Sequence, residues 1–371
     1  MKPTSSRLWT LSLLAASLLA PAGASANDWY RWRGPEQNGV SREKNLPETW
    51  DPDSNENVVW KVTGGGMSSP IVMKGKVYAL TRVGEAKAEA TVTAGPQTQE
   101  ALTCFDAKTG KVLWQHVENL YQTDLPFHRI GWSNVTGDPE TNRVYALGGQ
   151  CTLYCLDAET GKPVWNRQMS EEFGLISTFG GRTPTPAVDE DRLYVAGVAF
   201  GWGDNAKSQY RVFCLDKNTG ELRWTNGTGG IPVDAPYQTP IVSIINGERL
   251  VITGGGDGSV TAFQARTGKK VWTYKISKRG FNASIVADDK GRVYACHSEE
   301  NLKGSRMGAV VCIDASGGQE LDDLLQAIGD VHRIEPPASY AGTTPDGEVL
   351  DPLVDRPKRI LVCLVTVTEV V

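Results

Sequence analysis

The sequence predicts an all-β fold, a β-propeller of four-stranded antiparallel blades, and three observations carry that expectation. The stretch Cys155 to Trp165 reads C-L-D-A-E-T-G-K-P-V-W: a strand end, a tight turn closed by Gly161, and a second strand bearing a large aromatic, which together spell a β-hairpin. The same phrase recurs, with Asp106, Gly110 and Trp114 in one copy, Asp157, Gly161 and Trp165 in the next, and Asp216, Gly220 and Trp224 in a third. A worn copy keeps Gly268 and Trp272 but has Gln264 in the Asp slot. With Trp60 as an earlier anchor, the tryptophans step by 54, 51, 59 and 48 residues, a period that several short strands fill.

Each slot has a physical reason. The Asp ends a strand and accepts from the turn backbone, the Gly takes the positive φ that the turn needs, and the Trp lies between one blade and the next, where its ring N–H needs an acceptor. These residues are expected to hold blades together rather than to do chemistry, and removal of one such Trp to cost about 3 to 5 kcal/mol.

Taken in order, residues 1–26 read as a secretory signal: Lys2 and Arg7, the apolar run Leu11 to Ala20, and Ala24-Ser25-Ala26 as a cleavage site. The expected product begins at Asn27 and is exported, periplasmic or extracellular. No later run reaches the roughly 18 to 20 apolar residues of a membrane span. Residues 27–318 hold the repeats. A polar lead-in with Trp29, Trp32 and Trp50 precedes Asn57 to Val62, read as an outer strand that completes the last blade and removes its open edge. Four units follow, their strands A to D expected at 69–72, 76–80, 101–105 and 111–116; at 132–135, 143–147, 152–156 and 163–166; at 185–188, 192–196, 210–215 and 221–225; and at 239–243, 249–253, 259–263 and 269–274. A fifth opens with 283–286, 292–295 and 309–313, but Asp322 stands where the next Trp is due. Residues 319–371 are an atypical tail, with an amphipathic helical segment at 320–328 and a strand-like end at 360–371. The tail is either a divergent closing blade or the truncated or frame-shifted end of a longer chain.

A chain of 371 residues with 40% hydrophobic residues and 40 glycines suits a large core with many turns. The net charge of −5 becomes −7 without Lys2 and Arg7, and no basic block is present, so nucleic acid and anionic membranes are not expected partners. Cys104, Cys155, Cys214 and Cys312 all stand two residues before an Asp, equivalent places in different blades, and are read as small buried hydrophobes rather than disulfide partners.

The A to B and C to D connections are short, whereas most B to C and D to A connections are long, and in a meander blade these sets emerge at opposite ends. The long set forms one face, the expected site of function on a rigid scaffold. Its candidate ligand or partner residues are His128, Arg129, Trp132, Glu172, Arg182, Trp202, Asp204, Arg279, Asn282, His297, Glu299 and Asn301, a mixture suited to an anionic or polar ligand or an extended peptide. No catalytic residue and no metal site is expected: His297 with Glu299 and Glu300 could supply metal ligands, but adjacent residues alternate direction on a strand. Gly255-Gly256-Asp257-Gly258 reads as a hairpin turn, since no helix follows it to cradle a phosphate.

The Asp-x-x-Thr-Gly-x-x-x-Trp copies at Asp106 to Trp114, Asp157 to Trp165 and Asp216 to Trp224 resemble the tryptophan-docking repeat of the pyrroloquinoline-quinone (PQQ) propeller family. The resemblance covers about residues 57 to 318. It implies the fold, and two kinds of activity: quinoprotein dehydrogenases that oxidise alcohols or sugars with PQQ and calcium, and cofactor-free scaffolds such as the BamB-like branch that serves outer-membrane β-barrel assembly. The dehydrogenases typically carry two adjacent cysteines over the quinone, and no two cysteines here are neighbours. The expectation is therefore a non-catalytic scaffold without cofactor, binding a protein or small polar ligand through the long-loop face, with the PQQ–calcium enzyme as the alternative.

Overall fold

The computed structural model describes residues 28–62, 65–83, 98–120, 125–126, 129–177, 181–200, 208–302 and 307–316. The expected signal, Trp202, Asp204, His128 and the tail lie outside them. Blade 1 comprises β1 (Ile71–Met73), β2 (Lys76–Val83), β3 (Gln99–Asp106) and β4 (Val112–Asn119). Blade 2 comprises β5 (Thr136–Asp138), β6 (Arg143–Leu147), β7 (Thr152–Asp157) and β8 (Pro163–Gln168), followed by the short helix α1 (Met169–Phe173). Blade 3 is β9 (Ala187–Asp189), β10 (Arg192–Ala199), β11 (Gln209–Asp216) and β12 (Leu222–Gly227). Blade 4 is β13 (Ile241–Ile245), β14 (Glu248–Gly254), β15 (Ser259–Gln264) and β16 (Lys270–Lys275). Blade 5 has three strands among the described residues, β17 (Val286–Ala287), β18 (Arg292–Glu300) and β19 (Met307–Asp314). Each sheet is an antiparallel meander whose strands pair in chain order.

The core lies between blades. A middle strand such as β7, Thr-Leu-Tyr-Cys-Leu-Asp, is buried on both faces because a neighbouring blade covers each, whereas the outer strand β4 alternates between half-buried and exposed. Tyr78, Leu102 and Cys104 of blade 1 meet Val144, Ala146 and Tyr154 of blade 2. Tyr145, Leu153 and Cys155 meet Leu193, Phe213 and Leu215 of blade 3. The seam to blade 4 sets Tyr194 and Val212 against Val251 and Phe263, and Ile252 and Ala262 in turn meet Val293 and Ala295 of blade 5. Burial pushes the Cys155 and Cys214 thiols up to about 12, so these cysteines stay neutral packing groups.

The tryptophans dock one blade onward. The Nε1 of Trp60, Trp114, Trp165 and Trp224 donates to the carbonyls of Ala107, Ala158, Lys217 and Ala265 at 2.8, 3.2, 3.1 and 3.0 Å. Each indole lies over the turn glycine, Gly110, Gly161, Gly220 or Gly268, at φ of 70 to 73°, and a Cβ at Gly110 or Gly220 would come within 2.7 Å of the ring. Asp106 Oδ1 accepts from the backbone N–H of Lys108 (3.1 Å) and Thr109 (2.8 Å), and Asp157 and Asp216 order their turns alike. A tyrosine adds to three seams: the hydroxyls of Tyr78, Tyr145 and Tyr194 donate to the same carbonyls of Ala158, Lys217 and Ala265 at 3.1, 3.1 and 3.2 Å.

The innermost strands β1, β5, β9 and β13 adjoin one another around an axis. The lead-in enters this axis from the short-turn end. Asp28 accepts from Lys74 N–H (3.0 Å), Trp29 O from Val72 N–H (2.9 Å) and Tyr30 O from Gly137 N–H (2.7 Å). The five described sheets do not close into a ring. On β18 only one face is covered: Val293, Ala295 and His297 are buried while Cys296 and Ser298 are exposed.

Four expectations are corrected. Residues 57–62 form no strand, because no described inner strand lies alongside to pair with them, although Trp60 still docks. The inner strands begin later than expected, β5 at Thr136 rather than 132, because the residues before them bond to the next blade instead of a ladder. Several long connections are partly strand, with Glu299 in β18. Glu172 lies on α1, not in a loop.

Candidate functional site

The inner strands start at the long-loop end, and their first residues build the mouth of the axis. A polar belt fixes them. Asn134 Oδ1 accepts from Ser69 N–H at 2.7 Å, Thr185 Oγ1 from Asn134 N–H at 3.3 Å, and Ser284 Oγ from Thr239 N–H at 3.2 Å. Blades 2, 3 and 5 thus satisfy a backbone donor of their predecessor with a side chain in the equivalent slot. Two residues ahead of that slot stand Trp132, Tyr237 and Asn282, and three ahead stands Arg182.

These four residues meet. The Arg182 guanidinium lies 5.0 Å from the ring centre of Trp132 and 5.0 Å from that of Tyr237, and donates to the Tyr237 hydroxyl at 3.0 Å. The two rings are 5.6 Å apart and nearly perpendicular, at 84°. Tyr237 N–H in turn donates to Asn282 Oδ1 at 3.4 Å. The result is a half-buried cation clasped by two aromatic faces drawn from blades 2, 3 and 4, a geometry that holds the charge in place at the mouth. Glu100 sets the position of Trp132: its carboxylate, 3% exposed, accepts from Gly131 N–H and Gly149 N–H, both at 2.9 Å. Burial pushes its pKa up despite these two bonds.

The other expected residues do not join this cluster. Glu172 pairs with Arg167 on the outer strand β8, and Arg279 with Glu300 at 3.5 Å. His297 is 7% exposed, its Nδ1 lies 3.1 Å from Glu299 O, and burial pulls its pKa down. Asn301 donates to Gly308 O at 3.2 Å. Arg129 lies just before Gly131 with a bonded partner of its own. No three His, Cys, Asp or Glu side chains among the described residues converge as metal ligands. Gly255 to Gly258 is a hairpin turn joining β14 and β15, closed by Gly258 N–H to Gly255 O at 3.1 Å. Tyr237 and Glu100 were missed by sequence reasoning. Aligning the inner strands would have put Tyr237 beside Trp132, and a Glu heading the otherwise apolar β3 marks Glu100.

No helix among the described residues is long and apolar enough to cross a membrane. The outer membrane protein assembly factor BamB of Burkholderia pseudomallei is 24% identical over 301 residues, 77% of this chain and 68% of its own length. The quinoprotein alcohol dehydrogenase PedE of Pseudomonas putida is 28% identical over 193 residues, 47% of this chain and 29% of its own length. The chain spans less than a third of the length of the three curated dehydrogenases it matches. The crystal structure of BamB from Moraxella catarrhalis superposes with a TM-score of 0.40 at 17% identity, over 68% of this chain and 59% of that one. A family model described as outer membrane protein assembly factor BamB matches residues 98–350, and the chain belongs to that family of PQQ-repeat β-propellers.

Proposed function

We propose that the protein is an exported, non-catalytic scaffold of the cell envelope, acting in outer-membrane protein assembly, that grips a polar or acidic segment of a partner protein at the long-loop mouth. The mouth cluster carries this reading: Trp132, Arg182 and Tyr237 from three blades bring two aromatic faces and a positive charge together on the long-loop face, the residue types enriched where proteins grip one another. The assembly-factor relative supports it by aligning over 77% of the chain, against 47% or less for the dehydrogenases.

The test places a photo-crosslinking residue at position 237 in the full chain and, as control, at position 159 on the short-turn end. One envelope protein captured from 237 but not from 159, and lost with Arg182→Ala, is the expected result. Saturable binding of PQQ with calcium, followed by dye reduction on adding an alcohol, would replace the scaffold by a quinoprotein enzyme.

A further inference from the structure

The lead-in turns inside the propeller and leaves two cations there. Arg31, Trp32, Arg33 and Gln37 form one wall of an axial cavity whose other wall is the inner strands, with Thr136, Thr185, Thr239 and Ser284 among its polar lining. No Asp or Glu lines it. Elsewhere the protein pairs its half-buried cations carefully: Lys217 with Asp138 and Glu140, Arg249 with Asp189 and Glu190, Arg292 with Asp288. Arg31 and Arg33 have no such partner among the described residues. Arg31 donates to the Pro35 carbonyl at 3.4 Å and lies 5.4 Å from the Tyr30 ring centre, and its Nε is buried with no acceptor among the described residues. Arg33 lies over the Trp32 ring at 4.7 Å, and burial pulls its pKa down, as expected of a charge short of hydration and of counter-charge.

The opposite wall supplies donors. Thr185 Oγ1 and Ser284 Oγ accept the inter-blade N–H bonds, which leaves each hydroxyl proton free to point inward. Two guanidinium forks, hydroxyl donors and no carboxylate in one cavity form a set with donors in excess and positive charge to spare.

We infer that this axial cavity is a binding site for a small oxyanion, a carboxylate or a phosphate, held between Arg31 and Arg33 of the lead-in and the hydroxyls of the inner strands. The site is distinct from the mouth cluster, and its occupation ties the lead-in to blades 3 to 5, since the Thr136 hydroxyl of blade 2 already donates to Pro186 O at 2.6 Å.

The test follows the melting temperature and binding heat of the full chain on titration with inorganic phosphate or acetate, against sodium chloride at matched ionic strength. At a hundredfold excess over the dissociation constant one of the two raises the melting temperature by about 5 °C. Preference between them identifies the source, a phosphate compound or a carboxylate. Arg33→Gln is expected to weaken binding about tenfold or more, and Thr239→Val to weaken it less, whereas Arg279→Gln on the rim leaves it unchanged. Without anion, Arg33→Gln melts at or above the wild type, because an uncompensated charge has gone. No anion effect beyond chloride, unchanged affinity in Arg33→Gln, or a lowered melting temperature of anion-free Arg33→Gln would each overturn the site.

Discussion

The seam between blades 2 and 3 and the seam between blades 4 and 5 are built from the same repeat, yet they are joined differently. At the first, the Tyr145 hydroxyl and Trp165 Nε1 both donate to Lys217 O at 3.1 Å, and the indole lies over Gly220. At the second, Ile252 pairs with Ala262 where Tyr145 pairs with Cys155, and Trp272 Nε1 is buried with no acceptor among the described residues. The receiving turn there reads Asp314-Ala315-Ser316-Gly317 instead of Asp-x-x-Thr. Docking is thus two-sided: the aromatic comes from one blade and its acceptor from an ordered turn of the next. A tryptophan in the right slot buries its surface at either seam, and the Asp slot does not decide whether its N–H is bonded: Trp224 Nε1 reaches Ala265 O at 3.0 Å at a turn with Gln264 in that slot, whereas the turn facing Trp272 keeps Asp314.

The largest expected difference lies in Trp165→Ala against Trp272→Ala. The first should cost about 3 to 5 kcal/mol, through lost burial, a cavity and a lost hydrogen bond, while the second should cost about 2, since no hydrogen bond is lost with it. Urea unfolding of both variants measures this, and equal losses would break the distinction. Next comes the ion pair that reinforces the blade 2 to 3 seam. Lys217 Nζ lies 2.8 Å from Asp138 Oδ2, with the two side chains 5% and 7% exposed, so Asp138→Asn leaves the buried ammonium with the exposed Glu140, also at 2.8 Å, as its remaining counter-charge, at a cost of about 2 kcal/mol. Burial alone would raise the Asp138 pKa, but Lys217 and the Thr141 hydroxyl outweigh it and hold the carboxyl below its usual range. Because the folded value is depressed, this stabilisation is fully present above the unfolded value of about 3.9 and is lost as pH falls through the folded one. The gap between wild type and Asp138→Asn should therefore be constant from about pH 5 to 7 and shrink below about pH 4.

The blades were legible in the sequence because each is a local statement: strand, turn glycine and aromatic within eleven residues, from Cys155 to Trp165. The mouth was legible only in part. Trp132, Arg182 and Asn282 stood out as unusual residues in long connections, but that they meet follows from the alignment of inner strands, which brings together residues about fifty positions apart. Tyr237 was hidden because it precedes an inner strand and reads as ordinary core. His297 misled in the opposite sense: its ring sits near Phe281, 6.4 Å between centroids, and packs the seam instead of facing a ligand. The axial course of the lead-in had no local signal, since Trp29 and Tyr30 are tied to blades 1 and 2 by backbone bonds that any side chains would allow.

The smaller effects sharpen the comparison through the acceptor. Tyr145→Phe should cost about 1 kcal/mol, the net worth of one hydrogen bond, because Lys217 O still receives the Trp165 N–H. Trp165→Phe added to it leaves that buried carbonyl without a donor, so the double variant should lose more than the sum of the singles, and a double-mutant cycle reads the excess. Trp272→Phe is the counterpart with the smallest change. Loss of ring volume costs about 1 kcal/mol, while removal of a buried N–H that has no acceptor returns about 1 to 3, so the two nearly cancel. Stability within about 0.5 kcal/mol of wild type is expected from chemical denaturation. A loss as large as that of Trp165→Phe would show that Trp272 has an acceptor in solution and that the two seams are closed alike.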